Sequence, residues 1–215
     1  MGGLGRLISP DVRNYLPENR MSSLVSMTAP LPQSHYYIAP SVLDQGQTEE
    51  CTSFAWRQLI AINGRLDTPD PNTFYSLEQQ IDGIQPIPHD GSTVQAGAKV
   101  AQNLGYISSY VWDNTVAAIL PFLAYHGPVV FGTAWYEGMS NPDPTTYVMH
   151  ATGALIGGHC YVITGFDLSR SLLRMVQSWG LSFADNGYAW LPFDDADRLL
   201  MAQGEACAAV IVPKS

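Results

Sequence analysis

Cys51 stands six residues after Gln45 in "DQGQTEECTSF", just where a mostly buried helix is predicted to begin in "TSFAWRQLIAIN". Backbone N–H groups and the macrodipole at a helix start favour a negative charge, so a thiol placed there is eased toward thiolate. A lone cysteine is more often an inert core residue, and a base has to be found before chemistry is assigned to it. The candidate base is in "GGHCYVITGFD", where His159 follows Gly157-Gly158 and opens a predicted strand. Neutral imidazole is the usual base for a thiol. Eighteen residues on, "VQSWG" sets Gln177 and Trp179 on what reads as the adjacent strand. If the two strands form a hairpin, the Gln177 amide reaches the imidazole and fixes its tautomer, and the Trp179 indole covers that bond from water.

Elements that would position these groups can be read along the chain. Residues 1–40, punctuated by Pro10, Pro17, Pro30, Pro32 and Pro40, read as an extended, irregular arm. After the helix that follows Cys51, Gly64 suits a helix end, and residues 64–91 read as loop-rich. A second helix is signalled in "STVQAGAKVAQNLG", with Ser92 and Gln95 at capping-box spacing and Gly105 as its stop. A third covers about 115–125 with a kink at Pro121. Beyond Gly127 the texture turns β-branched and aromatic in "PVVFGTAW", "HCYVITGF", "LLRMVQSW", "GYAWLPF" and "CAAVIVP", with a short helix over about 194–203. Helices first and antiparallel strands later predict an α+β protein: an arm (1–40), a helical lobe (about 41–126) and a sheet lobe (about 127–215) enclosing a cleft.

At these residues the chain resembles the papain-like cysteine peptidases. "DQGQTEECTSFAW" is similar to that family's nucleophile segment, "GGHCYVITGFD" to its histidine segment, and "QSWGLSFADNGY" to its Asn-Ser-Trp-Gly and Asn-Gly-Tyr stretch. "HGPVVFGTAWYEGM" resembles its Gly-Pro-led strand. The ordered motifs span about 40–192, and the more specific resemblance is to compact bacterial and viral relatives lacking the full propeptide. It implies thiol-dependent hydrolysis of peptide or isopeptide bonds through an acyl-enzyme, with no cofactor. Cys51 would attack, and His159 would act as base and acid. Gln45, with the Cys51 N–H, would hold the oxyanion, and Gln177 would orient His159. Glu49, Gly158 and Trp179 would border the substrate path, Trp179 also shielding the histidine.

Four positions depart from the family pattern. Gln177 replaces asparagine and adds one methylene. Glu49-Glu50 replace Gly-Ser, so carboxylates beside Cys51 would oppose the thiolate. Glu49 either narrows the cleft or selects a basic side chain; alternatively both glutamates face solvent. Thr48 replaces a cysteine, and Thr52 an aromatic. These departures keep a second function open: a degenerate module serving as a structural or binding part of a larger assembly such as a virus particle. The arm would then dock onto a partner, or it would lie in the cleft and restrain activity.

Composition narrows the other classes. Charged residues make up 13% of the chain and the net charge is −9, which excludes a basic nucleic-acid-binding surface. Three cysteines cannot all pair and match no zinc spacing; His150 with His159-Cys160 does not either. "GGLG" lacks the strand and Lys-Ser/Thr of a phosphate loop. The first 21 residues hold no apolar block of signal-peptide length, and residues 116–135 are interrupted by Pro121, His126, Gly127 and Pro128. The expectation is a protein with no membrane contact, cytoplasmic or carried in a virion, acting on a peptide or protein. His35, His89, His126 and His150 are expected to be structural, Cys160 and Cys207 to be packing residues, and Tyr36-Tyr37 and Trp135-Tyr136 core or cleft wall.

Overall fold

The computed structural model describes residues 2–25, 30–83 and 91–213. Among these residues five α-helices pack on one antiparallel sheet, an α+β arrangement. The helices are α1 (Cys51–Ile62), α2 (Pro71–Asp82), α3 (Val94–Asn103), α4 (Val116–Tyr125) and α5 (Phe193–Met201). The strands are β1 (Ser34–Tyr36), β2 (Ile107–Asp113), β3 (Val129–Tyr136), β4 (Leu155–Asp167), β5 (Leu172–Val176), β6 (Tyr188–Pro192) and β7 (Glu205–Ile211). They run in the order β2-β7-β3-β4-β5-β6, with β1 paired to the far end of β4. No helix among the described residues is long and apolar enough to cross a membrane.

Two cores lie on opposite faces of the sheet. One joins α1, α3 and the Cys160–Val162 side of β4 through Trp56, Phe74, Val130 and Cys207. The other joins α4, α5 and the Tyr161–Ile163 side through Phe131, Trp135, Leu173 and Leu191. Alternation along β4 sends His159 and Cys160 to opposite faces. The central strand therefore carries the histidine on one side and meets the cysteine-bearing helix on the other.

Several local readings need correction. The stretch 64–91 contains α2, whose signals were all present: Asp70 accepts from the Thr73 N–H, Pro71 opens the helix, and Gly83 closes it at φ 72°. Residues 84–90, His89 among them, lie outside the described residues. The capping box at Ser92–Gln95 does not form. Thr93 is the cap, accepting from the Ala96 N–H, while Ser92 Oγ is taken by Asp82 and the Gln95 amide by Asn14. The arm is not merely extended, since it holds three short 3₁₀ turns (Val12–Tyr15, Pro17–Asn19, Met21–Ser23) and β1. Tyr36 is an exposed residue on the outer face, edge-on to Trp190, rather than core or cleft wall. Trp135, by contrast, is fully buried. Cys160 and Cys207 are buried free thiols.

Candidate active site

α1 begins at Cys51 itself, with Glu50 as its first flanking residue and no side-chain cap. Nine of its twelve residues are buried, so burial rather than capping fixes it. The Trp56 indole donates to the Val94 carbonyl (3.0 Å), tying α1 to α3. Thr52, where an aromatic was anticipated by the resemblance, donates instead to the buried Glu78 carboxylate of α2 at 2.7 Å. These ties leave the Cys51 sulfur against β4.

Around β4 lie Cys51, against the backbone N–H of Cys160, and His159, against Gln177 and Trp179, with Gln45 tied to Ser178. The thiol is fully buried, and the backbone N–H of Cys160, the residue after His159, acts on its sulfur. His159 is held by Gln177, 2.8 Å from Nε2 to Oε1. The amide oxygen accepts only, so Nε2 carries the proton and Nδ1 is bare. Nδ1 has no hydrogen-bond partner, Cys51 included. The extra methylene of Gln177 is absorbed because Gln177 and Trp179 sit just past the end of β5, not within it as the hairpin reading had them. The Gln177 N–H still pairs with the Gly187 carbonyl at 2.9 Å. Trp179 and Trp135 each lie 4.9 Å from the imidazole, tilted 31° and 71°. Two indoles thus seal the His159–Gln177 bond from water.

Gln45 is fixed from the Gln177 side: its Oε1 accepts from Ser178 Oγ (2.5 Å) and its N–H donates to the Ser178 carbonyl (2.8 Å). Its Nε2 is thereby turned toward the cleft, where it donates to Thr48 O (2.7 Å) and to Gly3 O (3.2 Å). The second contact comes from the arm. Residues 2–7 run along the cleft, their backbone paired to its walls: Gly3 N–H to Gly46 O, Gly5 and Arg6 N–H to Gly158 O, Leu7 N–H to Ser92 O, and Ser92 N–H to Gly5 O. All five bonds are 2.8–3.1 Å. Glycines make the approach feasible: a Cβ on Gly3 would fall 1.8 Å from Thr48 O, and one on Gly5 2.0 Å from Glu49 O. The close passage at Glu49 is therefore solved by a glycine on the passing strand. Arg6 then turns its side chain down onto Glu205, 2.8 Å away, with both groups buried.

Burial sets the electrostatics. Cys51 is pushed up to about 12, mainly by desolvation and in part by the Glu78 carboxylate, against the N–H groups of Cys160 and Gly5 and the charge of Arg6. His159 is pushed down to about 4 by desolvation, partly offset by the bond to Gln177. Under the arm the pair is a neutral thiol and a neutral imidazole. The carboxylate that opposes the thiolate is Glu78, from α2, not Glu49 or Glu50 of the flank. Glu50 is itself buried and raised, mainly by desolvation. Elsewhere, His150 pairs with Asp195 at 3.0 Å, a structural contact at the start of α5.

Arg6, Ser92, Ser178, Glu78 and Glu205 belong to this constellation; none was read from sequence as a site residue, Ser92 having been taken only for a helix cap. The short run "GGLGR" carries the one legible hint, glycines flanking a lone arginine.

No protein-family model matches the chain, and no curated protein does. Solved structures do resemble it. Xylellain, a cysteine protease from Xylella fastidiosa, superposes with a TM-score of 0.81 at 20% identity, over 98% of this chain and 97% of that one. A procathepsin B from Trypanosoma congolense gives 0.76 at 12% identity, covering 98% and 87%. Bromelain from Ananas comosus, in complex with the E64 inhibitor, gives 0.65 at 13% identity, covering 85% and 100%. The fold is that of papain-like cysteine proteases.

Proposed function

We propose that the protein is a thiol-dependent peptidase whose cleft is closed by its own arm. The reading rests on one observation above others: a backbone carbonyl, Gly3 O, sits 3.2 Å from the Gln45 amide in a segment whose Gly5 N–H reaches the Cys51 sulfur and which pairs with Gly158, the residue before His159. A peptide group there is held as a scissile carbonyl would be, with a carboxamide aimed at the oxygen that becomes the oxyanion. Once the arm leaves, water raises the imidazole and lowers the thiol toward their ordinary values. The bare Nδ1 of His159 can then take the Cys51 proton. The thiolate attacks the carbonyl carbon, and Gln45 Nε2 with the Cys51 N–H stabilises the oxyanion. The imidazolium passes its proton to the departing amine, leaving an acyl-enzyme that water hydrolyses by the same route in reverse. Gln177 holds the ring in the productive tautomer throughout. Gly158 O and Trp179 border the substrate path, and Glu49 contributes its backbone carbonyl to the wall.

An inert module docked into a larger assembly is the competing reading, and burial of both reactive groups is what favours it. A thiol-directed epoxide applied to a variant with the arm displaced separates the two. One adduct, lost in Cys51→Ala, is the outcome for an enzyme; a folded, unlabelled protein is the outcome for a module.

A further inference from the structure

Residues 11–20 of the arm pack on the edge strand β2, three strands away from the histidine-bearing β4, and enclose a cavity of about 230 Å³ there. Asn14 and Asn19 of the arm form one wall; Gln102 of α3 and Ser109, Tyr110 and Trp112 of β2 form the other. Arg20 pins the crossing through a backbone bridge to Trp112, and its guanidinium is committed to Asp113, Asn114 and the Tyr15 carbonyl. All six lining side chains are uncharged, yet their hydrogen-bonding groups are only half used. Asn19 Nδ2 is spent on Arg13 O (2.9 Å) and Gln102 Nε2 on Ser108 O (2.9 Å). Each of these amides keeps its oxygen as the group left to accept. Asn14 does the opposite: its Oδ1 accepts from Gln95 Nε2 (3.3 Å), whereas its Nδ2, in a residue only 6% exposed, has no hydrogen-bond partner. A buried donor left unmade is a cost that a native fold seldom carries, and an acceptor supplied by a ligand removes it.

We infer that this cavity binds a neutral polyhydroxylated ligand, a single sugar ring, held between the arm and the body of the protein. Each sugar hydroxyl both donates and accepts. That matches two amide oxygens, one unpaired amide donor and the hydroxyls of Ser109 and Tyr110, which serve in either sense. The half-buried Tyr110 ring is set edge-on to Trp112 (6.1 Å, 87°) and offers a fixed aromatic surface to the apolar C–H face of a sugar. The volume falls below the roughly 300–1,000 Å³ of pockets for drug-sized ligands, as a site for one ring should. A phosphate or carboxylate ligand is disfavoured. It would bring charge against walls that hold no cation, in a chain of net charge −9 whose nearby Arg20 is already paired. Because one wall is the arm and the other is α3 and β2, a bound ring favours the docked arm by mass action. The site lies outside the cleft and needs neither Cys51 nor His159.

The test titrates the full chain with glucose, galactose and N-acetylglucosamine, read by saturation-transfer NMR and calorimetry, with glycerol as the non-specific probe. At least one sugar is expected to bind about tenfold more tightly than glycerol, since it adds hydrogen bonds and a ring face. The phosphate ester of that sugar is expected to bind more weakly than the sugar itself. Gln102→Ala, at an exposed position, should weaken the sugar about fivefold, the worth of one hydrogen bond. Asn14→Leu removes the unpaired donor while filling its volume. Sugar binding should fall by about tenfold, yet the melting temperature should hold or rise, because an unsatisfied amide gives way to an apolar group of similar size. With sugar at ten times its Kd, hydrogen exchange of residues 11–20 should slow by up to about elevenfold, as linkage requires of a ligand that bridges arm and body. Three results overturn the assignment: no sugar binding more tightly than glycerol, the phosphate ester binding more tightly than its sugar, or an affinity unchanged in both variants.

Discussion

Replacing Arg6 by alanine is expected to uncover Cys51. The Arg6–Glu205 pair is buried on both sides, at 0% and 1% side-chain exposure. Removing one member of such a pair costs about 3–5 kcal/mol, because the other charge is left desolvated and unpaired. The vacated volume lets water in, so the lower end, about 3 kcal/mol, is the better figure. That cost falls almost wholly on the seated state of the arm, since Glu205 is hydrated once the arm is out. A change of about 3 kcal/mol shifts the closed-to-open ratio by roughly 150-fold. If the arm reseats faster than a small epoxide reacts, labelling tracks the open fraction, and the rate at Cys51 should rise by about the same factor. Intact-mass kinetics at neutral pH measure it directly. Glu205→Gln should produce a comparable rise, and the double variant less than the product of the two, since both remove one interaction. A folded Arg6→Ala protein labelled within about twofold of the parent rate would refute the reasoning.

The remaining predictions concern pH, the arm and the site. His159, lowered from 6.5 to about 4, contributes stability to the closed form that is present above about pH 6.5 and lost as pH falls toward 4. Cys51, raised from 9 to about 12, contributes stability present below pH 9 and lost as pH rises toward 12. Melting temperature against pH should show a plateau between those limits that flattens in Cys51→Ala on the alkaline side alone. Gly5→Ala should unseat the arm without altering its charges, because the new methyl falls 2.0 Å from Glu49 O, and hydrogen exchange of residues 3–7 should speed up. In an arm-displaced background, Gln45→Ala should cut kcat by about 10²–10³-fold with KM little changed, as loss of an oxyanion donor does. Gln177→Ala should lower turnover by about tenfold to a hundredfold, and Gln177→Asn should restore part of it, because the amide rather than the chain length orients Nε2.

The parts of this site legible in the sequence were those with chemistry of their own. Cys51, His159, Gln177, Trp179 and Gln45 carry functional groups at informative separations, and the helix after Cys51 and strands β3–β7 follow from apolar texture. α2 was concealed by the prolines and aspartates of residues 64–82, although Asp70, Pro71 and Gly83 are the start and stop signals of a helix. β2 went unassigned because its partner, β7, lies nearly a hundred residues away, and its own alternation of exposed and buried residues is imperfect. Glu205 and Arg6 could not be joined from sequence at all. Their contact spans 199 positions and depends on a glycine at 132 that leaves room, which no local spacing encodes. The same holds for Glu78, whose effect on Cys51 depends on how α2 packs beneath α1.

The account depends most on Cys51 being a nucleophile that the arm keeps covered. The direct measurement is intact-mass and peptide-level analysis of the full chain and of Gly5→Val/Arg6→Ala after treatment with a peptidyl epoxide at neutral pH. The account predicts slow labelling of the parent chain, rapid single labelling of the arm-displaced variant at Cys51, and near-complete loss of that rate in His159→Ala. A folded arm-displaced protein that takes up no probe, or takes it up at Cys160 or Cys207 instead, would contradict it.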